Sequence, residues 1–369
     1  MSTGGIDMCK NSILEVNLSN FKDNYFELKK LLKDGTEIMP ILKDNAYKTY
    51  INTKIDLLNE LDIKIIGIAK VNEGINMKKL GFDREILILN QPLDSQIPEI
   101  AEYNLTIGCG DIEYISKLRN YPSDFNVHIE VGTGMGRTGV HPSKIMDYIA
   151  EVKKSSNITI TGIYTHFSCS DSDREYTQWQ ISLFNEAVNI VKNEFPSIKY
   201  IHACNSAGIL NFPEAHFNLV RPGLLLYGYY PAENLKDKIH LKPVVKLKSK
   251  ISFLKEVPEG VNISYGKTFT TKRPSKIATV SIGYSDGVRR SLSNTGKVVI
   301  NGKLVDIVGT VCMDCFMADV TDIDAKINDD VFIWDNESMT VDEVAKTCDT
   351  ISYEILTGVS EGVCREFIY

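Results

Sequence analysis

A lysine, two arginines, a histidine and an Asn-Ser pair fall at one kind of position in this sequence, the C-terminal end of a short β-rich apolar run. Lys43 follows Glu37–Leu42 (EIMPIL), and Arg137 comes shortly after Asn126–Val131 (NVHIEV). His166 lies near the end of Ile158–Phe167 (ITITGIYTHF), Asn205 ends Tyr200–Asn205 (YIHACN) with Ser206 directly after it, and Arg221 ends His216–Arg221 (HFNLVR). In a parallel barrel the C-terminal strand ends share one rim, and that rim is where barrel chemistry is done. A lysine there can be a Schiff-base nucleophile or a side chain that snorkels to water. The string Gly132–Arg137 (GTGMGR) reads as a flexible loop or a ligand loop, and it lacks dinucleotide-binding spacing. Asn205-Ser206-Ala207-Gly208 suits a plain helix N-cap or a phosphate cradle. His166 alone is more often a satisfied core histidine than a catalyst.

Three further runs complete the set: Ile63–Ala69 (IKIIGIA), Glu85–Asn90 (EILILN) and Leu105–Cys109 (LTIGC). Several of the eight are continuously apolar, as parallel strands covered on both faces must be. Amphipathic segments such as Lys144–Lys154 and Trp179–Asn193 lie between them. Eight strand–helix units in about 190 residues predict a closed (β/α)8 TIM-like barrel. From Val245 the pattern changes to strand after strand: Val245–Val257, Ile277–Tyr284, Lys297–Val308, Phe316–Val320 and Val331–Trp334. An Asn301-Gly302 turn divides one of them, and only Val341–Thr347 reads as helical. The fold class is therefore α/β, a barrel over 12–244 followed by a mainly-β C-terminal domain over 245–369. Ile13–Leu18 can add an edge strand to the latter.

The chain has 369 residues, 43% hydrophobic and 24% charged, with a net charge of −7. That is a soluble globular composition, and the acidic balance disfavours nucleic acid. No apolar run approaches the ~18 residues a membrane span needs, and the polar start lacks a signal-peptide core. A cytoplasmic protein is expected, with no membrane partner. The eight cysteines are scattered rather than arranged as a disulfide framework. Cys312 and Cys315 form a lone C-x-x-C, which reads as two half-buried thiols, so no metal is expected.

Taken together, the segments resemble the alanine racemase family along nearly the whole chain. In the barrel these are Ile41–Tyr47 (ILKDNAY), Thr133–Gly139 (TGMGRTG), Thr165-His166-Phe167, His202–Gly208 (HACNSAG) and Val220–Gly223 (VRPG). In the β domain they are Ser264-Tyr265-Gly266, Ile282–Gly287 (IGYSDG), Cys312-Met313-Asp314 and Tyr353-Glu354. Each is modest alone, but nine in the family's order are specific.

The resemblance implies pyridoxal 5'-phosphate (PLP) as cofactor and racemisation of a small amino acid, L-alanine to D-alanine. Lys43 would carry PLP. Tyr47, Ser206, Gly223, Leu224 and Tyr353 match the positions that bind its phosphate. Arg221 matches the partner of the pyridine nitrogen; an arginine stays protonated, so the ring nitrogen gains no proton of its own. Racemisation needs a base on each face of Cα, which would be Lys43 and Tyr265. A tyrosine in that role must ionise far below the ordinary phenol range, so a cation or hydrogen bond must favour its phenolate. His166 matches its partner. Arg137 and the Met313 backbone match the substrate-carboxylate side, with Asp314 supporting. The resemblance also implies a head-to-tail homodimer with composite sites, Tyr265 reaching the barrel rim of the other subunit.

Several positions depart from the family. Lys48-Thr49-Tyr50 stands where Gly-His-Gly is usual, Gly132 replaces an aspartate, and Thr310 replaces an arginine at the substrate entry passage. A relaxed entrance would admit serine or larger amino acids, so a serine or broader-specificity racemase stays open. A basic amino-acid decarboxylase shares the architecture, but Tyr265 and the Thr133–Gly139 segment argue against it. A non-catalytic PLP carrier lacks the β domain. Glu130 occupies a position that is often a carbamylated lysine in the family. Either the glycine-rich turn folds Arg137 back onto this carboxylate, or Glu130 is a strand-end residue facing water.

Overall fold

The computed structural model describes residues 11–369, in two compact units. One is formed by Asn20–Ala46 and Tyr50–Lys242; the other by the described residues up to Ser19, Tyr47–Thr49 and Pro243–Tyr369.

The first unit is an eight-stranded parallel barrel. Following an N-terminal strand β1 (Ile13–Asn17), its staves are β2 (Glu37–Ile38), β3 (Ile65–Ile68), β4 (Glu85–Ile88), β5 (Thr106–Cys109), β6 (Phe125–Glu130), β7 (Ile158–Tyr164), β8 (Tyr200–His202) and β9 (Leu219–Val220). Strands β3 to β8 pair in sequence order, and β2 pairs with β9. Two sets of backbone bonds close the ring. Leu42 N–H donates to the Gly67 carbonyl and Gly67 N–H to that of Pro40, while Arg221 N–H donates to the Cys204 carbonyl. All eight predicted runs are staves, mostly shortened at their ends. The shortening has a physical reason: past the last ladder bond the chain turns out over the rim, where side chains rather than partner strands take its polar groups. The apolar runs are buried on both faces, with Ile65, Ile66 and Ile68 fully inaccessible. Each such side chain contributes about 1.5–3 kcal/mol by leaving water.

Two glycines make room inside the wall. A Cβ on Gly162 would lie 2.6 Å from three ring atoms of His128, and one on Gly108 would lie 2.3 Å from the Tyr164 hydroxyl. Both polar rings therefore occupy the barrel only because the facing strand lacks a side chain.

The second unit is mainly β. It contains β10 (Val245–Val257), β11 (Asn262–Ile263), β12 (Phe269–Thr270), β13 (Ser275–Val280), β14 (Lys297–Ile300), β15 (Lys303–Asp306), β16 (Phe316–Asp319), β17 (Asp330–Trp334) and β18 (Cys364–Ile368). Strand β1 pairs antiparallel with β10 and parallel with β18. The long β10 bends at a register shift between Ile251 and Phe253: its first half pairs with β17 and its second with β13. A bulge is the usual device for letting one strand serve two sheets. Asn301 turns between β14 and β15 with φ 51° and Gly302 with φ 72°. The helix Val341–Thr347 appears as predicted, and a second helix, Ser352–Thr357, follows it. The second was missed because six residues give too little periodicity to read. No helix among the described residues is long and apolar enough to cross a membrane.

Gly162→Ala should show how tightly the wall is packed. The added methyl overlaps the His128 ring, so unfolding free energy should fall by about 1–3 kcal/mol, read from the urea midpoint. An unchanged midpoint would mean the ring can move aside.

Candidate active site

The barrel rim is organised around Arg221, which follows β9 directly and is 3% exposed. Its Nη1 donates to His202 Nδ1 at 2.9 Å. Its Nη2 donates to the carbonyls of Thr165 at 2.7 Å and Ala203 at 2.9 Å. These two bonds use both Nη2 hydrogens, so the 3.4 Å approach to His166 Nδ1 is weak. The Tyr164 ring lies 5.6 Å from the guanidinium carbon. Burial lowers the Arg221 pKa to about 10, against the opposing pull of Tyr164, Cys204 and Glu130. It remains a cation at neutral pH.

Lys43 lies on the same unit and meets the opposite environment. No hydrogen bond or ion pair reaches its amine among the described residues. Burial lowers its pKa, Asp44 opposes that, and Arg137 adds to it. A lowered pKa leaves more of the lysine as free amine, the form that attacks a carbonyl. The backbone after Lys43 turns left-handed: Asp44, Asn45 and Ala46 have φ of 52°, 53° and 54°. Left-handed geometry costs L-residues about 1–2 kcal/mol each, so the turn needs support. Glu73 supplies it, accepting Asp44 N–H on Oε1 at 2.5 Å and the Ala69 and Lys70 N–H groups on Oε2 at 3.0 Å. The left-handed run continues at Tyr47, Lys48 and Tyr50, with φ of 56°, 64° and 61°. The two positions that lost a family glycine, Lys48 and Tyr50, thus keep the conformation a glycine would adopt freely.

His166 stands between these cations. Burial pushes its pKa well below the usual histidine range, and Arg221, Arg137 and Lys43 push it in the same direction. It is a neutral imidazole at neutral pH. Ser206 begins a short helix, and its buried Oγ accepts the Gly223 N–H at 3.0 Å. Asn205 caps that helix, its Oδ1 accepting from Gly208 N–H at 3.0 Å. Leu224 opens the following 3-10 turn, Leu224–Tyr227. Hydroxyl and backbone N–H groups with no basic side chain among them form this corner.

The Glu130–Arg137 pairing is not found. Glu130 is 3% exposed, so it does not face water either. Its Oε1 accepts from Thr138 Oγ1 at 2.8 Å, while Oε2 has no hydrogen-bond partner among the described residues. The Tyr164 hydroxyl lies near this carboxylate but gives its proton to the Leu89 carbonyl. Arg137 is exposed and has no partner among the described residues. The turn does fold back, with Val140 N–H on the Glu130 carbonyl, and it presents Thr138 instead. Positive φ at Gly134, Gly136 and Gly139 (140°, 69° and 106°) lets it do so.

In the β unit, Tyr265 is 73% exposed. Its turn is held from behind: Ser264 Oγ donates to the Thr310 carbonyl at 2.6 Å, and Thr310 Oγ1 donates to the Tyr265 carbonyl at 3.0 Å. Thr310 is buried at 8% exposure, so in this chain it braces the tyrosine turn rather than lining an open passage. Ile263, Ile277 and Val308 form the apolar floor beneath. Met313 is 54% exposed; its carbonyl accepts Ser285 N–H at 3.0 Å and Ser285 Oγ at 2.9 Å. Its own N–H has no partner among the described residues. Asp314 shares the Ser285 hydroxyl at 3.2 Å. The rings of Tyr47 and Tyr353 lie 6.1 Å apart. Cys312 and Cys315 are free thiols, and no metal-holding cluster of His, Cys, Asp or Glu occurs among the described residues.

The sequence reading missed His128 and Tyr164, and gave Thr165 and His202 no role. His128 Nδ1 meets His202 Nε2 at 2.9 Å, and Tyr164 stacks on His202 at 5.0 Å. The available signal was two histidines inside otherwise apolar strand runs.

Comparison with known proteins decides the family. The alanine racemase N-terminal domain matches residues 16–231 and the C-terminal domain residues 244–367. The chain belongs to the alanine racemase family. It is 36% identical over 373 residues to alanine racemase 2 of Caldanaerobacter subterraneus subsp. tengcongensis, covering 98% of this chain and 96% of that one. The alanine racemase of Halothermothrix orenii is 37% identical, with 96% of each chain covered. Among solved structures, alanine racemase of Clostridium difficile 630 superposes with a TM-score of 0.92 at 33% identity, covering 97% of this chain and 96% of that one. That of Bacillus anthracis with bound L-Ala-P gives 0.91 at 30%, covering 98% and 95%.

Glu130 yields a signed pH prediction. Burial raises its pKa above the ordinary 4.5, with Thr138, Tyr164, Arg137 and Arg221 only partly compensating. A raised acid favours folding while protonated, and that contribution is lost as pH rises through the raised value. Glu130→Gln keeps the Thr138 bond without the charge. Its stability relative to wild type should therefore increase from pH 4 to neutral, measured by urea denaturation. A decrease would mean that the cations over-compensate the burial.

Proposed function

We propose that this chain racemises alanine with pyridoxal 5'-phosphate, using Lys43 and Tyr265 as the two bases. The observation that carries the reading is Arg221, a buried guanidinium fixed at the rim on the same barrel as a partner-free lysine. The residues fit the cofactor. Lys43 has the depressed basicity that condensation with an aldehyde needs. Ser206, Gly223 and Leu224 provide a hydroxyl and backbone donors for a phosphate, and Tyr47 and Tyr353 match the family's other phosphate positions. Arg221 has donors only, which suits an unprotonated ring nitrogen. Alanine racemase of Bartonella henselae has been solved with covalently bound pyridoxal phosphate, at TM-score 0.87 and 27% identity.

When bound, pyridoxal phosphate supplies a conjugated sink for the electrons left at Cα after deprotonation. The protein supplies the proton transfers. The Lys43 amine holds or delivers the proton on one face of Cα, and the Tyr265 hydroxyl does so on the other. Neutral His166 is able to take a hydrogen bond from the tyrosine or give one to it. Arg137 and the Met313 N–H receive the substrate carboxylate. Arg221, which stays protonated, would hold the ring nitrogen without passing it a proton; that would limit the sink and favour return of the proton to Cα. Tyr265 stands exposed with its turn braced from behind, which suits service to the barrel of a second copy in a head-to-tail homodimer. We place the enzyme in the cytoplasm, where this substrate and cofactor are at hand. Serine is the main competing substrate.

Borohydride reduction of the PLP-loaded protein, followed by peptide mapping, should leave the cofactor on Lys43; label on another lysine would overturn the assignment. Tyr265→Phe should suppress solvent-deuterium uptake from one enantiomer by about 100-fold or more in single turnovers, and far less from the other. Equal losses would remove the face-specific role. Purified enzyme tested on a panel of L-amino acids should convert alanine with the highest kcat/KM, and a higher value for serine would reassign the substrate.

A further inference from the structure

Arg221 is a buried cation without a carboxylate in ion-pair distance among the described residues, an expensive arrangement unless charge is balanced nearby. The polar chain leading away from it has only one consistent direction. An arginine can only donate, so His202 Nδ1 accepts and His202 carries its proton on Nε2. That proton points to His128 Nδ1 at 2.9 Å, so His128 carries its own proton on Nε2. His128 Nε2 faces Glu85 Oε1 at 3.5 Å, long for a hydrogen bond, with no other partner for that buried nitrogen among the described residues. Glu85 is the first residue of β4, at the opposite end of the barrel from Arg221. Thr106 Oγ1 donates to Glu85 Oε1 at 3.1 Å, and Lys199 Nζ lies 3.9 Å from Oε2.

We infer that Glu85 is a positioning residue for Arg221, acting through His128 and His202, and that its carboxylate balances the charge Arg221 presents to a ring nitrogen. The inference rests on the proposed function only for the identity of that ligand. The carboxylate is ionised: burial alone would raise its pKa, but the N–H that His128 turns toward it, with Lys199 and Thr106, brings it below the usual value. Both imidazoles are neutral. Burial lowers the His128 pKa against the pull of Glu85, with Lys199 and Arg221 also lowering it. Burial, Arg221 and His128 hold His202 well below the usual range. The remaining groups facing the relay are Tyr164, stacked on His202, Tyr200, whose ring is 5.6 Å from His128, and Glu130 and Arg137, which act on Arg221. A chain of neutral, tautomer-locked rings transmits a change of charge at one end as polarisation at the other. It also fixes the guanidinium plane, because Arg221 Nη1 has no other acceptor among the described residues.

The test uses the full-length protein and Glu85→Gln, which keeps shape and an acceptor but removes the charge. In the cofactor-free protein with 15N-labelled histidine, His128 and His202 should both appear as Nε2–H tautomers, assigned with His→Gln variants. Glu85→Gln should move the resonances of both. An unmoved His202 overturns the relay, whatever the enzyme's activity. In the PLP-loaded protein, Glu85→Gln should shift the pH midpoint of the visible absorbance by about half a unit or more. It should change kcat about threefold or more while leaving KM for alanine within about twofold. Histidine shifts without a change in that midpoint would overturn the positioning role. If Glu85→Gln fails to fold, Lys199→Met removes the cation beside Glu85 and should move His128 and His202 in the opposite direction; no movement there counts against the relay. Histidine shifts in a protein that takes up no pyridoxal phosphate would sink the functional reading and leave the relay standing.

Discussion

A guanidinium buried inside a barrel dictates much of what surrounds it. Each of its donors needs an acceptor, because an unpaired charge in a low-dielectric interior is worth several kcal/mol of instability. The ends of β7 and β8 provide two carbonyls and an imidazole for Arg221. Those acceptors are available only because the chain leaves regular ladder pairing at Thr165 and Ala203. The second imidazole, His128, fits only because Gly162 opposes it. One buried side chain thus ties together strand length, a glycine and two histidines on different staves.

Lys43 illustrates the contrary solution within the same barrel. It is not satisfied by hydrogen bonds, and its basicity falls as a consequence. The cost of holding it appears in the backbone, where a run of residues stays left-handed under the restraint of Glu73. Strain held by a neighbouring helix cap is characteristic of sites whose geometry matters more than their local stability. The neutral His166 follows from the same crowd of cations: three positive groups and burial leave no room for a fourth charge.

The β unit handles its reactive candidate differently again. Tyr265 is pushed out to solvent on a turn whose carbonyl is gripped by Thr310 and whose preceding serine grips Thr310 in return. That reciprocal pair orients the phenol without touching it.

The sequence by itself determined the class of fold, the rim residues and the family. Apolar runs alternating with amphipathic segments leave few packings other than a parallel barrel, and Lys43, His166, Ser206 and Arg221 had to share its rim once the strand ends were known. In the β domain, short motifs rather than periodicity singled out Tyr265 and Met313. The tertiary structure alone decided the partners. Glu130 takes Thr138 and not Arg137 because the glycine torsions set which side chain of the turn reaches inward. Thr310 braces a turn because the fold puts it behind Ser264. Glu85, His128 and His202 align because β4, β6 and β8 are alternate staves of one closed ring, although Glu85 and His202 lie more than a hundred residues apart along the chain. Local sequence encodes periodicity and residue chemistry; which buried polar groups meet depends on strand register and on missing side chains opposite, and those exist only after the barrel has closed.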